Sequence, residues 1–171
     1  GAVYLVYGSA SATAGSISIT ADDADAAIGG ESDGDALATR IHTADLDGDG
    51  NDDMILTSTG YDYASSTSLL SNVGRAYLVA GGSLSGSYQV ASAAYATITG
   101  SNTSDELGWG VSTGDVDGDG FMDLALGAPF NDDAASDAGI VYGFAAVGAY
   151  SGDYDAATDA TLSITGDGAS A

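Results

Sequence analysis

The sequence predicts an all-β chain made of repeated units of four antiparallel strands, a propeller-type arrangement with about two and a half units present. Three observations carry that expectation. The chain matches itself at a period near 70 residues. Its apolar residues alternate with period two, and no stretch sustains the i, i+3, i+4, i+7 spacing of a long helix. Glycine occurs 26 times in 171 residues against a single proline, which suits short strands joined by many turns.

The repeat is direct. Ala26–Gly50 reads AAIGGESDGDALATRIHTADLDGDG and Ala96–Gly120 reads ATITGSNTSDELGWGVSTGDVDGDG, aligned without a gap at an offset of 70 residues. A second landmark occurs three times, as Gly1-Ala-Val-Tyr4, Gly74-Arg-Ala-Tyr77 and Gly139-Ile-Val-Tyr142. A third is the isoleucine of Ile28, Ile98 and Ile164.

These landmarks divide each unit into strands A to D. Strand A covers Leu37–Ala44 and Leu107–Gly114. In the second copy Leu107, Trp109, Val111 and Thr113 alternate with Gly108, Gly110, Ser112 and Gly114. A face stripped to glycine and serine is expected where another backbone packs closely. Strand B covers Asp53–Ser58 and Asp123–Ala128. Strand C is the Gly-x-x-Tyr landmark, and strand D carries the isoleucine. The expected division is therefore residues 1–35, the outer half of a unit (C and D), then 36–104 and 105–171, each a full unit with an aspartate loop. That gives ten strands. A closed propeller takes about four to eight units, and the chain opens on Gly1 rather than Met. It is thus expected to be a processed form or piece of a longer repeat protein, or a subunit whose ring other copies complete. Strand C at Ala2–Val6 holds no charge and no proline, so its edge is expected to invite pairing.

Strands A and B are joined by loops reading Asp45-Leu-Asp47-Gly-Asp49-Gly-Asn51-Asp-Asp53 and Asp115-Val-Asp117-Gly-Asp119-Gly-Phe121-Met-Asp123. Carboxylates fall at positions 1, 3, 5 and 9, with glycine at position 6. Calcium takes six to eight hard oxygen ligands in flexible geometry, and a tight loop with acids at alternate positions supplies them. Asn51 and Phe121, unlike each other at position 7, point to a backbone carbonyl ligand there. Magnesium keeps more of its water, and zinc prefers His or Cys, so both are disfavoured. The expected cofactor is calcium, about two ions per chain. An EF-hand needs a glutamate at position 12; here that position is Leu56 and Leu126, each inside an apolar strand.

Composition sharpens the reading. There are 25 acidic residues, two basic ones (Arg40 and Arg75), and a formal net charge of −23. Nucleic acid is excluded as a partner, since phosphate binding needs Lys and Arg. Two calcium ions would remove four of those charges, so most of the excess belongs to a solvated surface. Cysteine is absent, which rules out thiolate metal sites and a cysteine nucleophile. No apolar run reaches the ~18 residues of a membrane span.

The residues resemble FG-GAP repeats, the units of the integrin α-subunit β-propeller and of many bacterial secreted proteins. The second copy carries the marks: Leu107-Gly108 for the first pair, the Asp115–Asp123 loop, Gly127-Ala128-Pro129, then Gly139-x-Val141-Tyr142. The first copy departs, with Leu37-Ala38 and Thr57-Ser58-Thr59 at the two named positions. The resemblance implies a propeller of four-stranded blades, calcium on each A–B hairpin, and no catalysis.

Other polar residues read as ordinary. His42, the only histidine, has no nucleophilic serine motif around it. Arg40 and Arg75 read as surface or salt-bridging groups, and Tyr4, Tyr77 and Tyr142 as packing. Asn102-Thr-Ser is a glycosylation sequon in a polar loop. The acidic stretches Asp22–Asp25, Asn131–Asp133 and Asp153–Asp159 read as solvated loops. The expected role is a calcium-stabilised binding, adhesion or structural module of a secreted or cell-surface protein, partnered by another protein or by further copies of itself. One alternative is a self-assembling subunit of an extracellular filament or surface layer. Another is the non-catalytic propeller part of a secreted hydrolase.

Overall fold

The structure, a computed structural model, describes residues 1–8 and 23–167. Asp22, and residues 168–171 of the last expected unit, lie outside the described residues. From the N-terminus run β1 (Ala2–Leu5), β2 (Ala26–Gly29), β3 (Leu37–Ala44), β4 (Asp53–Ser58), the short pair β5 (Tyr63–Ala64) and β6 (Leu69–Leu70), β7 (Arg75–Val79), β8 (Gly86–Gln89), the one-turn helix α1 (Val90–Ala93), β9 (Ala94–Thr99), β10 (Gly110–Gly114), β11 (Asp123–Ala128), β12 (Ile140–Phe144), β13 (Gly152–Asp155), the one-turn helix α2 (Ala156–Asp159) and β14 (Leu162–Thr165).

Apart from the β5–β6 pair, the strands form three sheets, ordered β1-β2-β8, β3-β4-β7-β9-β13 and β10-β11-β12-β14. Within each sheet the A-to-D neighbours are antiparallel, with the landmark tyrosine strand paired to the isoleucine strand: Val3 opposite Ile28, Ala76 opposite Ile98, Val141 opposite Ile164. The all-β expectation holds.

Period-two alternation decides how the sheets stack. On β7, Ala76 and Leu78 point to one side while Tyr77 and Val79 point to the other. The first pair joins Ile55, Ile98, Leu124, Leu126 and Tyr142 in a core between the second and third sheets. The second pair joins Val3, Ile28, Met54 and Leu56 in a core between the first and second. The middle sheet is therefore buried on both faces, and every residue of β4 is buried.

Three departures from the sequence reading have physical causes. First, β8 and β13 are extra strands that run parallel to β2 and β9. After strand C the chain crosses to the edge of the preceding sheet, then returns through a one-turn helix to strand D. Their side chains are mostly exposed, so no apolar alternation announces them. Second, the second strand A begins at Gly110, not Leu107. Gly108 takes φ +101°, and a Cβ there would meet Thr57 Cβ at 2.7 Å, so the chain turns against β4 before it becomes a strand. Third, Tyr4 is exposed, whereas Tyr77 and Tyr142 are buried as packing residues.

Candidate metal centre

Both aspartate loops cap β-hairpins of the same register. β3 pairs with β4 so that Ala44 lies opposite Asp53, and β10 pairs with β11 so that Gly114 lies opposite Asp123. The loop chain is curled by its own carboxylates. Asp45 Oδ1 accepts the N–H groups of Gly48 at 2.8 Å and Asp49 at 3.1 Å, and its Oδ2 accepts that of Gly50 at 3.0 Å. Asp115 does the same with Gly118 at 2.7 Å and Gly120 at 3.1 Å. Asp47, Asp49, Asp117 and Asp119 each accept, through Oδ1, the N–H two residues further on, at 2.7–3.1 Å. These local turns hold the carboxylates in place.

The result is convergence. Asp45, Asp47 and Asp49 each place a carboxylate oxygen within 4.8 Å of the others. So do Asp115, Asp117 and Asp123. The two groupings differ: the fourth acid of the first loop, Asp53, and the third of the second, Asp119, lie outside the tight clusters. Asn51 and Phe121 follow the loop with their backbone. The Asn51 amide side chain turns back to Asp49 Oδ1 at 3.0 Å, and the Phe121 ring is partly exposed.

Asp53 and Asp123 do more than the sequence suggests. Both are buried. Asp53 accepts the N–H of Leu46 at 3.2 Å, the N–H of Gly81 at 2.8 Å and the hydroxyl of Tyr95 at 3.0 Å. Asp123 accepts Val116 N–H at 2.8 Å and Ala146 N–H at 2.9 Å. Each thus ties the loop to the chain leaving strand C. The Val116 and Ala146 N–H groups hold the Asp123 carboxyl below its usual value. Spacing alone marks these acids as possible ligands; the buttressing by Gly81, Tyr95 and Ala146 comes from residues 23 to 42 positions further on and left no local signal.

The donor set is oxygen only, with no His or Cys in either cluster. That chemistry fits a hard cation. With no cation, three carboxylates held so close repel one another.

The other polar residues have structural tasks. Arg75 stacks 3.9 Å above the Tyr61 ring and reaches Glu31 at 3.4 Å. Arg40 lies 5.0 Å from the Trp109 ring centroid. His42 Nε2 lies 2.9 Å from Thr113 Oγ1. The sequon residue Asn102 donates its amide to Asp105 at 3.1 Å. The acidic stretches are not merely solvated: Asp155 caps α2 through the Ala157 and Thr158 N–H groups, Asp153 accepts the Thr97 hydroxyl at 2.7 Å, and Asn131 donates to Asp105 at 2.7 Å.

Comparison with known proteins bears on this arrangement at two places. The family model for the FG-GAP repeat matches residues 107–144, which run from the turn at Leu107 through the second aspartate loop to the end of β12. A phosphatidylinositol-glycan-specific phospholipase D of Dictyostelium discoideum is 28 % identical over 100 residues, a match that takes in 55 % of this chain and 10 % of that protein. An FG-GAP repeat is a blade of a β-propeller, and the matched residues build three strands of the four-stranded antiparallel sheet β10-β11-β12-β14. Residues 107–144 of the chain thus match an FG-GAP repeat.

Proposed function

We propose that the chain is a calcium-stabilised, propeller-type module of an extracellular or cell-surface protein, with a binding or structural role and no chemistry of its own. The observation that supports it most is the convergence of Asp45, Asp47 and Asp49, and of Asp115, Asp117 and Asp123, on loops already curled by their own hydrogen bonds. In this reading the ligands of the first ion are Asp45, Asp47, Asp49, the Asn51 carbonyl and Asp53. Those of the second are Asp115, Asp117, Asp119, the Phe121 carbonyl and Asp123. Each ion neutralises carboxylates that otherwise repel, so binding stabilises the hairpin it sits on. FG-GAP repeats occur in extracellular or surface proteins, where millimolar calcium suits sites of about 10⁻⁴–10⁻³ M. Among the described residues no helix is long and apolar enough to cross a membrane.

Calorimetric titration of the metal-free chain tests this. Two calcium ions per chain with weaker magnesium binding are expected, together with a rise in melting temperature on adding calcium. No calcium binding, or equal preference for magnesium, would sink the reading.

The match to a phospholipase D favours a second reading, in which this chain is the non-catalytic propeller part of a secreted hydrolase. Both readings expect no turnover of phosphatidylinositol-glycan by the purified chain alone, and turnover in that assay would overturn both.

A further inference from the structure

The last acids of the two aspartate loops are held by the same pair of backbone donors. The oxygen turned toward the loop, Oδ2, accepts the N–H of Leu46 at 3.2 Å in Asp53 and that of Val116 at 2.8 Å in Asp123. The other oxygen, Oδ1, accepts the N–H of Gly81 at 2.8 Å and that of Ala146 at 2.9 Å. Asp53 has a third donor that Asp123 lacks, the Tyr95 hydroxyl, 3.0 Å from its Oδ2. Tyr95 stands three residues before the landmark Ile98, and the residue three before Ile164 is Thr161. The Thr161 hydroxyl is engaged elsewhere: it donates to the Gly143 carbonyl at 2.9 Å and accepts the Ala145 N–H at 2.6 Å. A carboxylate has about four acceptor positions, two on each oxygen. Leu46 and Tyr95 together fill those of Asp53 Oδ2, whereas Val116 takes one of the pair on Asp123 Oδ2. The carboxylate groupings differ in the same sense. Asp123 belongs to the tight cluster of its loop, with Asp115 and Asp117, while Asp53 stands outside the cluster of Asp45, Asp47 and Asp49.

We propose that the Tyr95 hydroxyl competes with the cation for Asp53, so that the second loop is the tighter calcium site and fills first. The inference rests on the calcium reading above. Tyr95 acts through Asp53, as a positioning residue. To bring Asp53 Oδ2 onto an ion the loop must give up the phenol, and a hydrogen bond to a charged acceptor is among the stronger ones. Asp123 faces no such exchange. One difference pulls the other way: Asp52 stands where the second loop has Met122, and its charge draws cations to the first loop. Asp52 is exposed, so salt screens it, whereas the exchange at Asp53 takes place on a buried carboxylate that salt reaches poorly. A neighbour that supports a metal ligand ordinarily raises affinity, and its loss weakens binding. Competition has the opposite sign, because the phenol holds Asp53 apart from the other three acids, and removing it tightens binding.

The test is calorimetric titration of calcium into single-loop variants at ~0.15 M salt, where surface charges are screened. Asp47→Ala disables the first loop and Asp117→Ala the second. The chain that keeps the second loop is expected to bind calcium about tenfold more tightly than the chain that keeps the first, as one hydrogen bond lost in the exchange would give. Tyr95→Phe, which keeps the ring and removes the hydroxyl, is expected to tighten the first loop by about the same factor in the Asp117→Ala background. In the Asp47→Ala background it is expected to leave the second loop unchanged. The wild type supplies a check that needs no substitution: in an amide-resolved nuclear magnetic resonance titration, Val116 and Ala146 are expected to respond at lower calcium than Leu46 and Gly81. Equal affinities, a first loop that fills before the second, or a Tyr95→Phe that weakens or leaves unchanged the first loop overturns this inference and leaves the calcium reading standing. A wild type that binds no calcium at all overturns both.

Discussion

In the first repeat Gly34, Ala36 and Ala38 take φ values of +95°, +56° and +70°; seventy residues on, Ser104, Glu106 and Gly108 take +66°, +53° and +101°. Not one of the three residue types is shared, yet the backbone follows the same course. Local preference does not set that course, because four of the six residues are non-glycine in a region L side chains avoid. Long-range hydrogen bonds do. Gly60 N–H reaches the Asp35 carbonyl at 3.2 Å in the first repeat; Glu106 and Leu107 N–H groups reach Asn72 and Val73 carbonyls, each at 3.0 Å, in the second. The comparison shows one backbone course held by different long-range hydrogen bonds in the two repeats.

The largest expected difference between the repeats lies at the last acid of each loop. Asp53→Ala leaves two backbone N–H groups and the Tyr95 hydroxyl without their acceptor, a loss of roughly 3 kcal/mol or more. Asp123→Ala strands two N–H groups and no hydroxyl. Denaturant unfolding in chelator, where no ion contributes, should therefore rank Asp53→Ala as the more damaging. Equal losses would mean that Tyr95 adds nothing to the first loop.

Next is the glycine position of the turn. Gly108→Ala forces a Cβ to within 2.7 Å of Thr57 Cβ at φ +101°, costing roughly 2–4 kcal/mol in strain and overpacking. Its counterpart already carries a side chain, so Ala38→Gly should relieve a left-handed alanine and stabilise by up to about 1 kcal/mol. Thermal unfolding of both variants checks this. A destabilised Ala38→Gly would show that the alanine methyl contributes packing that outweighs its strain.

These residues also show what the sequence could and could not convey. The repeat, the A–B hairpins and the clustering of loop acids were legible, because Asp45 to Asp53 and Asp115 to Asp123 are local patterns that curl on themselves. The cores were legible through alternation on β7, where Tyr77 and Val79 separate from Ala76 and Leu78. The parallel strands β8 and β13 were not, since Gly86–Gln89 and Gly152–Asp155 gain their structure from the edge of another sheet and bury little. The same holds for the Asp53–Tyr95 and Asp123–Ala146 bonds, which join residues separated by 42 and 23 positions. The exposure of Tyr4 was hidden for the opposite reason: its pattern equals that of Tyr77, and the two differ only in that, among the described residues, no sheet lies over Tyr4.

The repeated tyrosine gives a smaller contrast. The Tyr77 hydroxyl donates to Glu31 at 2.7 Å, while the Tyr142 hydroxyl is buried without a partner among the described residues. Burial, reinforced by nearby Asp105 and Asp133, pushes Tyr142 up to about 12, so it stays neutral. Tyr77→Phe removes a hydrogen bond to a charged group and should cost about 1.5–3 kcal/mol; Tyr142→Phe removes an unsatisfied hydroxyl and should be neutral or slightly stabilising. If Tyr142→Phe cost as much as Tyr77→Phe, the third sheet would hold a partner for that hydroxyl that the described residues do not supply.

The smallest effect is a pH dependence at Asp35 and Asp105, equivalent buried acids of the two repeats. Burial pushes both carboxyls above their usual value, with Glu31 and Asp62 adding to it at Asp35, and Asp133 and Asp132 at Asp105. A raised folded-state value in an acid means that the folded protein binds the proton more tightly than the unfolded chain. Each group therefore weakens the fold at neutral pH, and that penalty is relieved as pH falls through its raised value toward the ordinary value of about 3.9. Asp35→Asn removes the charge and keeps an oxygen for the Ser32 N–H, now at 3.0 Å. It should stabilise the protein at pH 7, and the advantage over the parent should shrink to nothing near pH 4. Asp105→Asn should gain less, because the Asn102 and Asn131 amides both lean on that charge, at 3.1 and 2.7 Å. Melting curves of parent and variants at matched pH and matched calcium measure the two differences. An Asp35→Asn advantage that is absent at pH 7, or that does not change with pH, would show that the Asp35 carboxyl is well solvated; an Asp105→Asn gain as large as that at Asp35 would show that its amide partners do not favour the charge.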